Sequence, residues 1–323
     1  MCNFASFVLT KNNEYFLDTS DSHEDIIEYF HLNDDKINLV RVELTPPNIH
    51  QDLQNPSKWT FKVDQDFFPD WTYKNDPALE EQARKALAKR IQEQNIGLTT
   101  NLGNGKISVV GYAGKSNVKN EGIAITSQNG TANSGAYGIS ITKDNCTATA
   151  GPEGKVILGE SCKANIDNYG SCIADDFCSI SAKDNLSTIT TNDANIIAGN
   201  FSTVIGQFDC KIKVGRESLV LTQKNGNVSA QSYSKVITGN YGHSIVGDYG
   251  IAISGFYGTS ASGDYGVSIT DENGKAKSGL YGEIHIRFWD LFKMRTLVGY
   301  VGEDGILPDT FYKVENGKLV IAE

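Results

Sequence analysis

From Gly103 the chain can be cut into 23 consecutive eight-residue frames, up to residue 286, without one insertion or deletion. Each frame has the same grammar. The third position is often Tyr or Phe, the fourth is mostly Gly, Cys, Ser or Ala, and positions five to eight are β-prone. So regular a repeat predicts a solenoid, in which each unit buries a face only against its neighbours.

Alternate octads differ. At position seven, every sixteenth residue reads Val109, Ile125, Ile141, Ile157, Ile173, Ile189, Ile205, Leu221, Ile237, Ile253, Ile269. The interleaved series is mostly polar: Asn117, Asn133, Thr149, Asn165, Ser181, Ile197, Lys213, Ser229, Ile245, Ala261, Lys277. The structural repeat is therefore sixteen residues, two short strands and two corners. That is a mainly β fold, a narrow two-sheeted parallel β-solenoid of roughly eleven coils and about 55 Å.

Charge indicates which side faces in. Positions six and eight never carry a charge, whereas position five holds Lys115, Lys155, Lys163, Lys211, Lys235 and Lys275. A buried unpaired lysine is costly, so six and eight point inward and five and seven outward. The isoleucine row then faces out, which on a soluble monomer is a long apolar stripe needing cover. The alternative is that the Ile-bearing strands face the other way and the lysines escape at strand ends. In the first case burial against a second copy is the simplest remedy, predicting a homo-oligomer with Ile157, Ile173, Ile189, Ile205 and Ile237 at its centre.

The flanks are of another kind. Residues 1–96 read as a small α+β domain, residues 97–286 as the solenoid, and residues 287–323 as a C-terminal β cap over its open end. In the first segment, strands are expected at Asn3–Thr10, Glu14–Asp18, Ile37–Leu44 and Trp59–Val63. Helices are expected over His23–Leu32 and from Pro77 to about Gln94. Net charge is −10 overall. Residues 1–100 hold 17 acidic and 10 basic side chains, while residues 103–286 hold 16 and 14. The repeat is thus nearly neutral, against both polyanion binding by bulk charge and whole-length DNA mimicry.

Six cysteines occur and none forms a CxxC pair, which excludes zinc-ribbon and thioredoxin motifs. The start lacks a secretory pattern and no stretch approaches a membrane span. A cytosolic protein with free thiols, without cofactor or metal, is the expectation. Cys146, Cys162, Cys178 and Cys210 all fall at position four of the polar-row octads. Such a thiol ladder suits soft metals, but a tight inward corner that admits only small side chains is the simpler account. Stacked tyrosines at position three suggest ring packing, or a carbohydrate or nucleobase platform. For a ligand or catalytic site in residues 1–96, Cys2 and His23 are the first suspects. An N-terminal Cys can act as a nucleophile with its freed amine as base, although a small residue opening a strand explains it more simply. His23, with Asp21, Glu24 and Asp25, reads most simply as helix capping. Ice binding wants uniform threonine rows, which the gapped series Thr126, Thr142, Thr190, Thr222, Thr238, Thr270 does not supply.

The start MCNFASFVLT…TSDSHEDIIEYF, the stretches LVRVELTPP and WTFKVDQDFFPDW, the G-x-[YF]-G octads and the ending YVGEDGILPDTFYKVENGKLV together resemble uncharacterised bacteriophage and prophage proteins. Those proteins carry a small N-terminal domain before an octapeptide-repeat β-solenoid. The resemblance implies a phage or mobile-element origin and no particular activity. The expected function is a non-enzymatic structural or interaction protein in the bacterial cytoplasm or the virion, host-directed against a defence system or built into the particle, with a host or phage protein partner. The other reading is an enzyme or small-ligand-binding protein with its site near Cys2 and His23.

Overall fold

A computed structural model describes residues 6–10, 15–16, 28–31, 39–45, 53–66, 77–93 and 95–322. The chain divides into two compact units, residues 1–99 with 110–115, and residues 100–109 with 116–323.

In the first unit Ser6–Thr10 pairs antiparallel with both Tyr15–Phe16 and Leu39–Thr45, and Leu39–Thr45 pairs with Thr60–Asp66. These strands match the expected ones within a few residues. Of the expected helix over His23–Leu32, residues 28–31 are described: Glu28 and Tyr29 are helical, while Phe30 and His31 form a turn. The helix from Pro77 runs to Glu93. It buries Ala83, Ala86, Leu87 and Ile91, a stripe at three- and four-residue spacing, against Leu44, Leu53, Trp59 and Ile96. Arg84 ties it down: its Nε donates to Glu80 at 2.9 Å and its guanidinium also donates to the carbonyls of Trp59, at 2.9 Å, and Pro56.

The second unit holds the parallel β-solenoid, with sixteen residues per turn and about twelve turns. The count exceeds the eleven expected because Thr99–Leu102, which lacks the glycine signature, already occupies a strand position. Register is strict: Ile125 pairs with Ile141, Ile141 with Ile157, Ile157 with Ile173 and Ile173 with Ile189. Strands of the isoleucine row build one sheet and strands of the polar row the other.

Burial alternates along the strands, with positions six and eight buried and five and seven outward, as in Lys155–Leu158 and Lys211–Val214. The lysine argument therefore decides the facing, and the alternative with inward isoleucines does not hold. Between the sheets lies a thin core. Its middle is Val156, Leu158, Ile166, Ile180, Ile196, Val204 and Ile212. Nearer the ends, serines replace these residues and several bond across the core, as where Ser140 Oγ donates to the Thr149 carbonyl at 2.8 Å, although the buried Ser260 hydroxyl has no partner among the described residues.

Corners follow one plan. At residues 135–138 the Gly138 N–H donates to the Gly135 carbonyl at 3.1 Å, and Tyr137 takes φ 57°. That is the pattern of a type II turn, with the left-handed residue at its third place. The left-handed place is filled mostly by Tyr, Asn, Glu, Asp or Phe, and once each by Ala113, Ser161 and Gly105, rather than by the neighbouring position-four residue.

The isoleucine sheet ends in a hairpin. Glu283–Asp290 continues the parallel stack and then pairs antiparallel with Lys293–Tyr300. The polar sheet ends with Tyr312–Glu315, which meets Lys275–Lys277 at Ala276, followed by Lys318–Ile321. Ala276, Ile284, Ile286, Val301, Ile306 and Tyr312 close this end with a separate small core.

Candidate interaction surface

Two outward columns run along the isoleucine sheet. The position-seven column is apolar for eleven coils, Val109 to Ile269. The position-five column beside it carries Ile107, Ile123, Ile139, Lys155, Ser171, Ser187, Thr203, Leu219, Lys235, Ile251 and Val267. How far each isoleucine is exposed depends on that neighbour. Beside Ser171 and Ser187, Ile173 and Ile189 are 58% and 54% exposed, whereas Ile125, Ile141 and Ile253, beside isoleucines, are half-buried. Ile157, Ile205 and Ile237 are also exposed. The five isoleucines singled out from sequence thus lie on one face, and all are exposed in the single chain.

The opposite face differs in kind. Its outward asparagines satisfy one another, Asn133 Nδ2 donating to Asn117 at 2.7 Å and Asn117 to Asn101 at 3.0 Å. Ile197, Ile245 and the buried Ala261 interrupt an otherwise polar column there.

The corners bear the tyrosines. Tyr233, Tyr249, Tyr265 and Tyr281 stack with ring centroids 5.0–5.3 Å apart, and Tyr241 stacks on Tyr257 at 5.6 Å. The Arg216 guanidinium lies 5.6 Å from the Tyr233 ring centre and covers that end of the longer stack. Inner ring faces are therefore already occupied, which favours ring packing over a ligand platform. Tyr137 stands apart, its hydroxyl 3.0 Å from Glu153. A shallow groove of about 630 Å³ opens beside Tyr233, lined by Arg216, Glu217, Ser218, Leu219 and Lys235.

The position-four cysteines are buried and fill a role that composition does not reveal. Cys162 Sγ donates to the Lys143 carbonyl at 2.8 Å and accepts the Cys146 N–H at 3.2 Å. Cys146 likewise donates to the Ser127 carbonyl at 2.8 Å and accepts the Gly130 N–H at 3.2 Å. At the other corner serines do the same work: Ser218 accepts the Ser202 N–H and Ser234 the Ser218 N–H, each at 3.1 Å. Each such side chain joins its coil to the preceding one. Burial raises the thiol of Cys178 to about 11 and that of the core residue Cys172 to about 12. The neutral, buried thiols of Cys172 and Cys178 are poor nucleophiles and poor metal ligands. Among the described residues, no group of three or more His, Cys, Asp and Glu side chains is placed to hold a metal ion.

A second ladder was missed from sequence. Asp and Asn at position two accept the N–H of the position-two residue one coil on, as in Asp248 to Asp264 at 3.0 Å and Asp264 to Leu280 at 2.8 Å. The signal was present in the recurrence of Asp or Asn directly after the first-position glycine in Gly199-Asn200, Gly239-Asn240, Gly247-Asp248 and Gly263-Asp264.

Cys2 and His23 lie outside the described residues. Among the described residues, no helix is long and apolar enough to cross a membrane. No protein-family model, curated protein or solved structure matches the chain.

Proposed function

We propose that the chain is a non-enzymatic interaction protein, a rigid solenoid whose isoleucine sheet is its binding face. One observation carries this reading. Two faces of the same solenoid, built by the same repeat, differ in that one outward column is apolar for eleven coils while the other is mostly polar. An apolar stripe of this length is what protein–protein contact surfaces present and free surfaces avoid. The regular register makes the face stiff, so little ordering entropy opposes binding. The likeness of the first and last segments to phage and prophage proteins supplies the setting: the bacterial cytoplasm or the virion, with a host defence component or a phage protein as a further partner.

Hydroxyl-radical footprinting in a lysate of the producing cells tests whether the face is covered. Ile197 and Ile245, on the opposite sheet, are 54% and 46% exposed and serve as internal controls. Ile173 and Ile189 should be oxidised several-fold less than these two. Equal oxidation on both faces would show an unoccupied surface and end the reading.

A further inference from the structure

We infer that the occupant of the isoleucine face is a second copy of this chain, laid antiparallel to the first, with the two-fold axis crossing the coil of Ser187 and Ile189. The inference rests on that face being a binding surface and adds which partner it takes and in which register.

Size comes first. Eleven coils at about 4.8 Å make a stripe about 50 Å long, and four-residue strands at about 3.3 Å per residue make it about 13 Å wide. A copy laid along it would bury about 1,300 Å² in total, within the range of stable specific pairs. A self-complementary patch can serve both partners of a two-fold contact, and the question becomes which two-fold fits the side chains.

The position-five column answers it. From first to eleventh coil it reads Ile, Ile, Ile, Lys, Ser, Ser, Thr, Leu, Lys, Ile, Val. It is apolar at both ends and small and polar in the middle, close to a palindrome about the sixth coil, that of Ser187. A two-fold axis parallel to the solenoid would set each position-five column on the partner's position-seven column. Lys155, Lys235, Ser171, Ser187 and Thr203 would then all lie on isoleucines, and the polar middle would find no polar counterpart.

An axis across the solenoid sets like columns on each other with coil order reversed. The isoleucine column then meets the isoleucine column along its whole length. Ile107 meets the partner's Val267, Ile123 meets the partner's Ile251, and Ser171 meets the partner's Thr203. Lys155 falls on the partner's Leu219 and Lys235 on the partner's Ile139, so no lysine opposes a lysine. Both sit at the start of their strands, where an aliphatic stem lies on apolar surface while the ammonium reaches solvent at the rim.

The test is double electron–electron resonance on the whole chain carrying Cys2→Ser and one nitroxide label, at Lys155→Cys or at Lys235→Cys. The other five cysteines are buried, and circular dichroism confirms that each labelled protein keeps its β signal. Light scattering gives the mass of the same samples. In the antiparallel pair the labels lie four and six coils apart along the solenoid, so distances of about 20 and 30 Å are expected. A dimer in which both distances fall under about 15 Å, or in which Lys155 gives the longer one, overturns the antiparallel register. A monomeric mass at tens of micromolar with no dipolar signal overturns the second copy as occupant. Footprinting then reports separately whether the face is covered by something else.

Discussion

A Cβ added to Gly138 would stand 2.6 Å from the Cβ of Ser134, four residues earlier. The glycine at position four is therefore kept by crowding at the end of the preceding strand and not by its own backbone angles, since the left-handed residue is Tyr137. Gly138→Ala is expected to destabilise the solenoid by about 1–3 kcal/mol, the range for overpacking a core, as read by chemical denaturation. The double variant Gly138→Ala with Ser134→Gly removes the opposing Cβ and should recover part of that loss. If Gly138→Ala alone is neutral, the corner is looser than described.

The thiol bridges make a second prediction. Cys162→Ser keeps a donor and an acceptor between coils, while Cys162→Ala leaves the Cys146 N–H and the Lys143 carbonyl without their partner. Alanine should cost more than serine, by about 1–2 kcal/mol. In a Cys2→Ser background the native protein should be silent to thiol reagents at pH 8 and react fully once unfolded. The raised thiols of Cys172 and Cys178 also set a sign. Below about pH 9 the folded and unfolded chains are both protonated there. Above it only the unfolded chain ionises, so stability falls as pH rises towards the folded values of about 11 and 12. A melting temperature unchanged between pH 8 and pH 10 would contradict this.

Tyr249 stacks on both Tyr233 and Tyr265, whereas Tyr281 has a stacked tyrosine only in Tyr265. Replacing Tyr249 by Ala should lower the melting temperature more than replacing Tyr281. Tyr249→Gly should be milder than Tyr249→Ala, because glycine meets φ 56° without strain. Equal effects from all three would mean that the rings contribute nothing to stability.

Asp167 gives the acid side. The hydrogen bond and ion pair from Lys183, 3.0 Å away, and the Asn168 N–H at 2.8 Å hold its carboxyl below the usual carboxylate range. Its contribution is present at neutral pH and disappears as pH falls through that lowered value. Asp167→Asn should therefore lower stability at neutral pH, and the gap to the unsubstituted protein should close as the pH falls below the carboxylate range, where Asp167 has lost the same contribution.

The sixteen-residue coil and the paired isoleucines were legible because the repeat can be counted, and the lysines at position five favoured an outward facing while leaving the opposite one open. Ile173 needed no coordinates to be placed on a face. What escaped were interactions whose partners lie sixteen or nineteen residues apart with no distinctive side chain at one end. Cys162 looks like any small residue until the Lys143 carbonyl stands beneath it, and Asp248 looks like a turn former until the Asp264 N–H stacks on it. The Thr99–Leu102 strand was missed for the converse reason: it is held by its neighbour and carries no repeat signature of its own.

The strict pairing of Ile141 with Ile125 and Ile157 makes the molecule's length a counted quantity. Loss or gain of sixteen residues removes or adds one step of about 4.8 Å and leaves every later residue on its own face, one coil along. A change of eight keeps every corner intact yet sends all later isoleucines to the asparagine side, splitting the stripe into halves on opposite faces. A change of one residue turns each later side chain inside out. Genetic drift in this region can therefore be silent, can invert the surface or can be ruinous, depending only on arithmetic.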